Sequence, residues 1–305
     1  MNELISENID FYRARTFRLL PDLRLLTPAD AIEFVNQRGF VYFWPISGIT
    51  MPNLWTAVAG DRSVASDHDD PGHITWGWKD ELLGKGEWYY AKILRKKATM
   101  VSMDVAPYFY ALSENYGSPE HDYLTLYEQG RLTQAEKTIY ETLLNKGPLD
   151  TVTLRRAVSM TSQASNSRFD SALAKLQADF KILPVRVSQA GGWRYAFVYD
   201  IVARYYPILP ELAQKISEDD ARRKLCHLYF LSVGAAQLRD VMKLFGWKTP
   251  MVEKVVTQLV GTGLLARGLE LDKSPGEWIA LKELLARSKH TKYTQMAGFK
   301  HKDTV

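Results

Sequence analysis

The sequence predicts a helix-rich α+β protein of three tandem winged-helix units, the helix-turn-helix variant in which three helices precede a two-stranded hairpin. Three observations predict it. Over 131–200, three helical apolar patterns lead into two β-favouring runs joined by Gln189-Ala190-Gly191-Gly192, a glycine turn at hairpin spacing. The same order recurs over 218–281, shared as architecture rather than as sequence identity. Over 88–103, β-favouring residues pass through the basic turn Arg95-Lys96-Lys97 after several helical patterns. The divisions that follow are 1–130 (N-terminal helices plus the first unit), 131–205 (second), 206–287 (third) and a basic, flexible tail over 288–305.

Taken in order, residues 7–20 read as an opening helix, with Ser6 as its cap and Ile9, Tyr12, Phe17 and Leu20 as its stripe. The next helix is better marked. Thr27 is the N-cap, Pro28 occupies the first turn, Asp30 returns a hydrogen bond and Gly39 ends it. Short helices are expected over Pro52–Val58, Trp78–Leu83 and Asp104–Leu112. In the second unit, Thr133 opens a helix closed by Gly147-Pro148, and Leu149 to Val158 marks another. Ser165 or Asn166 caps a third, with Phe169, Leu173, Leu176 and Phe180 at helical spacing. Strands follow at 182–187 and 193–199. In the third unit, helices cover 225–231, 235–245 and the stretch after Thr249-Pro250, before strands at 264–267 and 277–281.

Composition narrows the function classes. The 305 residues suit two or three domains, and 46% hydrophobic with 24% charged content is ordinary for a globular protein. No apolar run nears the ~20 residues that span a bilayer. Met1-Asn2-Glu3-Leu4 carries an acid where a signal peptide carries Lys or Arg, so a cytoplasmic protein without membrane contact is expected. The single cysteine, Cys226, excludes an intrachain disulfide and a Cys-cluster zinc site. A net charge of +4 is compatible with a polyanionic partner. No Gly-x-Gly-x-x-Gly, Walker loop, Gly-x-Ser-x-Gly or His-Glu-x-x-His motif occurs, and no cofactor is expected.

Chemistry-bearing residues crowd into 40–103, which holds five of the eight tryptophans, at 44, 55, 76, 78 and 88. In an extended chain Tyr42 and Trp44 share a face, where they can stack on a displaced base or wedge into a groove. Consecutive aromatics are equally compatible with a core strand. Trp76, Trp78, Trp88, Tyr89 and Tyr90 read as core and wing packing. The densest polar cluster is Asp67-His68-Asp69-Asp70-Pro71-Gly72-His73. Its spacing matches no strong metal motif, so a solvated turn without a metal is expected. Asp69, Asp70 and Glu87 stand as carboxylate candidates for acid–base work. Placement on wings and third helices selects Arg95, Lys96, Lys97, Arg168, Lys175 and Arg194 for contacts to DNA phosphates.

Several short motifs in succession resemble the AlkZ/YcaQ-type DNA glycosylase family, over nearly all of residues 20–285. They are Leu26-Thr27-Pro28-Ala29-Asp30-Ala31, Pro45-Ile46, Leu54-Trp55 and Ile93-Leu94-Arg95-Lys96-Lys97-Ala98-Thr99, followed by Ala106-Pro107-Tyr108. Gly147-Pro148-Leu149, Ala172-Leu173-Ala174-Lys175-Leu176 and the 182–199 hairpin continue the series. The resemblance implies a basic channel for double-stranded DNA and hydrolysis of the N-glycosidic bond of alkylated bases. It also implies a Gln-x-Gln or Gln-x-Asp motif directly before a Pro-Ile-like pair. An acceptor there positions water and stabilises an oxocarbenium-like sugar. The matching positions here are Tyr42 and Trp44, and an indole accepts no hydrogen bond.

Three readings of function therefore stand. One is a glycosylase of the AlkZ kind, excising alkylated bases, or a divergent member with altered chemistry around residues 40–73. Another is a non-catalytic DNA-binding regulator or lesion-recognition protein on the same scaffold. A protein-interaction module is a third, since winged helices also bind proteins.

Overall fold

The structure, a computed structural model, describes residues 3–288 apart from Trp193 and Lys273. Apart from Ser288, the tail expected over 288–305 lies outside the described residues. Three sets of elements repeat one order: helix, strand, helix, helix, strand, strand. The first runs Pro28–Arg38, Phe40–Tyr42, Leu54–Ala59, Ile74–Leu82, Tyr89–Lys92 and Ala98–Val101. The second runs Gln134–Lys146, Leu149–Asp150, Thr151–Ala157, Asn166–Ala178, Ile182–Ser188 and Ala196–Ile201. The third runs Glu218–Val233, Ala235–Ala236, Leu238–Phe245, Thr249–Gly261, Leu265–Leu271 and Ser274–Leu281. In each, the last strand pairs antiparallel with both of the others. Glu3–Leu4 adds a parallel strand beside Leu265–Leu271.

Local chemistry explains the best-defined boundaries. Thr27 Oγ1 accepts from the Asp30 amide at 3.2 Å, and the Asp30 carboxylate accepts from the Thr27 amide at 2.9 Å. Thr133 and Glu136 make the same reciprocal pair. Gly39 leaves its helix at φ 79°, a conformation that favours glycine.

Other boundaries differ from expectation. The opening helix is Ser6–Thr16, and Ser6 is not its cap. The Ser6 hydroxyl and amide instead donate to Asp272, which draws the N-terminus onto the third set of elements. The Ser165 hydroxyl donates back to the Ser162 carbonyl, at 2.7 Å, rather than capping its helix. Ala235 and Ala236 pair as a strand with Ala280 and Ile279, so that helix starts only at Leu238. Likewise Leu149–Asp150 is a strand, and Asp150 caps the helix that follows.

Packing joins the sets. One apolar cluster lies among Phe34, Val41, Phe43, Trp78 and Trp88, and a second among Ile139, Leu154, Phe169 and Leu176. The largest runs through all three sets, from Phe40 and Tyr89 through Phe180 to Phe230 and Val256. Gly84 marks one close approach, because a Cβ there would meet the Val185 carbonyl oxygen at 2.2 Å. The Tyr205 hydroxyl donates to the Gly84 carbonyl at 2.8 Å across the same seam. The helix Ser6–Thr16 is tied to Glu218–Val233 by Tyr12, Arg13 and Thr16, which donate to carbonyls from Leu231 to Ala235. Among the described residues no helix is long and apolar enough to cross a membrane.

Candidate functional site

The chain from Phe40 to Trp44 is held on both sides. Phe43 donates to Ala98, Tyr42 to Pro52, and Trp55 to Phe43, at 2.9–3.1 Å. Period-two alternation then sends Tyr42 into the largest core, 1% exposed, and Phe43 into the first set's own core. The Tyr42 hydroxyl lies 3.5 Å from the Leu94 carbonyl, and burial pushes its pKa well above the ordinary range for a phenol. Stacking on a displaced base is therefore closed to Tyr42. Trp44, the residue before Pro45, leaves the strand and turns to the other side. It packs against the core that holds Phe43, with its buried Nε1 unpaired among the described residues. The two positions share no face.

Trp44 belongs to an aromatic patch that crosses a seam. Its ring centroid lies 5.3 Å from Phe43 and 5.7 Å from Trp76, and Trp76 lies 6.2 Å from Tyr195. Trp76 is 38% exposed, so it presents a ring at the surface instead of packing wholly in the core. Trp78, Trp88, Tyr89 and Tyr90 are buried, as expected.

Behind the patch sits Lys79, 2% exposed. Its Nζ pairs with Asp80 at 2.6 Å and donates to the Tyr195 hydroxyl at 2.7 Å. Tyr195 in turn donates to Asp80 at 2.9 Å. Five rings surround the ammonium, with Phe197 at 4.6 Å and Trp76 at 5.0 Å from it; Tyr195, Tyr90 and Phe43 complete the cage. Burial lowers the Lys79 pKa, and Asp80 opposes that shift. Sequence reasoning missed Lys79, Asp80 and Tyr195. A signal was present: Thr75, Trp78, Lys79 and Leu82 fall at i, i+3, i+4 and i+7, which puts a lysine on the apolar face.

The acidic loop is occupied by its own contacts. Asp70 accepts from the Gly72 amide at 2.7 Å and pairs with Arg62 at 2.5 Å, and these bonds hold its carboxyl below the usual range. His73 Nε2 lies 3.0 Å from the Ala65 carbonyl, and its ring packs on Trp55 at 5.1 Å. Asp69 and Glu87 are exposed. The loop is a folded turn held by these contacts.

The basic candidates fall into separate groups. Arg95, Lys96 and Lys97 are exposed at the turn between Tyr89–Lys92 and Ala98–Val101. Arg95 and Lys96 adopt φ 55° and 54°, left-handed values that cost non-glycine residues about 1–2 kcal/mol each. This turn packs against Asn166–Ala178, where the Lys92 amide donates to Gln177, and Arg95 and Lys175 line one cavity. Lys175 is also paired with Asp179. Arg168 lies two turns earlier on that helix, exposed beside a separate depression that includes Thr133 and Met160. Arg194, at φ 52°, is exposed at the second hairpin turn, next in sequence to Tyr195 of the aromatic patch.

A model of the family described as AlkZ-related matches residues 25–246. The chain belongs to the AlkZ-related family. Among solved structures it is similar to the Streptomyces sahachiroi DNA glycosylase AlkZ, with a TM-score of 0.57 and 13% identity. That likeness covers 95% of this chain and 73% of the other, and at such identity it is one of fold. No curated protein matches the sequence. In this AlkZ-related chain, then, the fold is retained while positions 42 and 44 carry a buried phenol and an indole.

Proposed function

We propose that this AlkZ-related protein binds double-stranded DNA without hydrolysing the glycosidic bond, as a regulator or lesion-recognition protein. The reading takes the repeated sets as winged helices, with residues 131–205 the second and 206–287 the third. The observation that carries it is the state of positions 42 and 44. Neither side chain offers an acceptor to a water molecule: Tyr42 is sealed in a core and Trp44 has only an N–H. Asp80, the nearby carboxylate, is engaged by Lys79 and Tyr195. The exposed wing cations Arg95, Lys96 and Lys97 and the exposed Arg168 and Arg194 favour a polyanionic partner. Exposed Trp76 with Trp44 offers a stacking surface for a base.

Fluorescence anisotropy with a labelled duplex, across a range of salt concentrations, tests this reading. Each neutralised phosphate contributes a slope of about −0.9 in log K against log salt. A slope of about −3 or steeper is expected from the five exposed cations. A slope near zero would remove the phosphate contacts and with them the proposal.

A further inference from the structure

One feature lies outside the aromatic patch and the motif positions. Where the three sets of elements meet there is a cavity of about 380 Å³. The first set lends it the wing turn with Arg95, and the second lends Lys175 from its third helix and Asp179 from just past that helix. The third lends Arg222 from its first helix, together with Phe245 and Trp247. Its volume is within the range of small-molecule sites, at the lower end.

The charges in this cavity do not cancel. Asp179 is paired with Lys175, and Glu114, the other carboxylate in the lining, with Arg131. Arg222 has Glu218 at 2.7 Å through one terminal nitrogen, yet its buried Nε has no acceptor among the described residues. Arg95 forms no ion pair among the described residues, and its left-handed backbone directs the wing turn here at a conformational cost. Arg95 thus brings an uncompensated guanidinium to this space, and Arg222 lines it as well. Beside them Phe245 and Trp247 stack, with centroids 4.3 Å apart and planes 12° from parallel. Guanidinium groups suit phosphate oxygens, and a stacked aromatic wall suits a planar ring.

We propose that this cavity binds a single nucleotide, its phosphate on Arg95 and Arg222 and its base against Trp247. The choice of a nucleotide over other aromatic anions rests on the DNA reading above. The nucleotide has two sources, a free deoxynucleoside monophosphate or one displaced from a duplex.

The test uses the full chain and three titrations. Deoxyadenosine monophosphate is followed by calorimetry, with deoxyadenosine and inorganic phosphate as partial ligands. A duplex with a single-nucleotide bulge is compared with its fully paired counterpart by anisotropy. Saturable binding of the monophosphate is expected, at least tenfold tighter than either part. Arg95→Ala, on an exposed turn, is expected to weaken it about tenfold, and Trp247→Ala similarly. Tighter binding of the bulged duplex, lost in Arg95→Ala, would identify the displaced source. Equal binding of both duplexes would leave the free nucleotide as the ligand. The proposal is overturned if neither the monophosphate nor the bulge is preferred, or if both substitutions leave binding unchanged. Normal salt-dependent duplex binding in that case would keep the DNA reading intact. Monophosphate binding without duplex binding would have the opposite effect, sinking the DNA reading and sparing the cavity.

Discussion

Lys79, on the third helix of the first set, donates to the hydroxyl of Tyr195 in the second set at 2.7 Å. With Asp80 and five rings around it, this contact fastens the two sets together at the aromatic patch. Removing one member of a buried pair strands the other, whereas the cage rings contribute smaller increments. Lys79→Met is expected to destabilise the protein by about 2–4 kcal/mol, because Asp80 is only partly exposed. Tyr195→Phe is expected to cost about 1 kcal/mol. The pair should be non-additive by ~1 kcal/mol in a double-mutant cycle measured by urea unfolding. Strict additivity would mean that the two side chains are not coupled.

Lys181 gives a pH dependence with a definite sign. It is 3% exposed and donates to the Glu114 carbonyl and Asn115 Oδ1 at 3.2 and 2.9 Å. Burial pushes its pKa from 10.5 down to about 8, against the pull of Asp179 and Asp122. Below pH 8 both folded and unfolded chains hold the proton, and the burial penalty is present in full. From about 8 to 10.5 the unfolded chain holds a proton that the folded state has released, so stability rises with pH. The rise, taken relative to Lys181→Met, is expected to be on the order of 3 kcal/mol. Buried tyrosines such as Tyr42 and Tyr229 act in the opposite direction at the alkaline end, but they are common to both proteins and cancel. Parallel pH profiles of the two proteins would contradict the assignment.

The cations of the first hairpin turn test the DNA reading separately from the fold. Arg95, Lys96 and Lys97 are exposed, and none of them forms an ion pair among the described residues. The triple alanine variant is expected to keep its thermal midpoint and to reduce the magnitude of the salt slope by about 2–3. An unchanged slope would place the DNA elsewhere on the protein.

How much of this was legible in the sequence depended on range. Thr27 with Asp30, and Thr133 with Glu136, are contacts three residues apart, and the motif announces them. The hairpin turns at 95–97 and 189–192 were legible for the same reason. The N-terminal strand was not, because its partner is Leu265–Leu271 and no local pattern names a partner that distant. The Lys79 cage was half legible: helical spacing put the lysine on the buried face, but Tyr195 lies 116 residues away. The shared face expected for Tyr42 and Trp44 assumed that extended chain continued past Tyr42. Phe40–Tyr42 is the whole strand, and the turn into Pro45 sends the two rings into different cores.

Placing at position 42 the glutamine that the resemblance implies is expected to cost stability. Tyr42→Gln would bury an amide in an apolar core, at a cost of about 2–4 kcal/mol if it stays unpaired. Tyr42→Phe removes only a hydroxyl with one long contact, and a change under ~1 kcal/mol in urea unfolding is expected. A large loss in Tyr42→Phe would assign the hydroxyl a role that its 3.5 Å contact does not suggest.

The most direct measurement is single-turnover incubation with alkylated duplex DNA, at protein concentrations that anisotropy shows to be saturating. Abasic sites are then counted against a protein-free control. The expected result is bound DNA with abasic sites no more frequent than in the control. Excision above that background would contradict the account, because it would require a catalytic acceptor that neither Tyr42 nor Trp44 supplies.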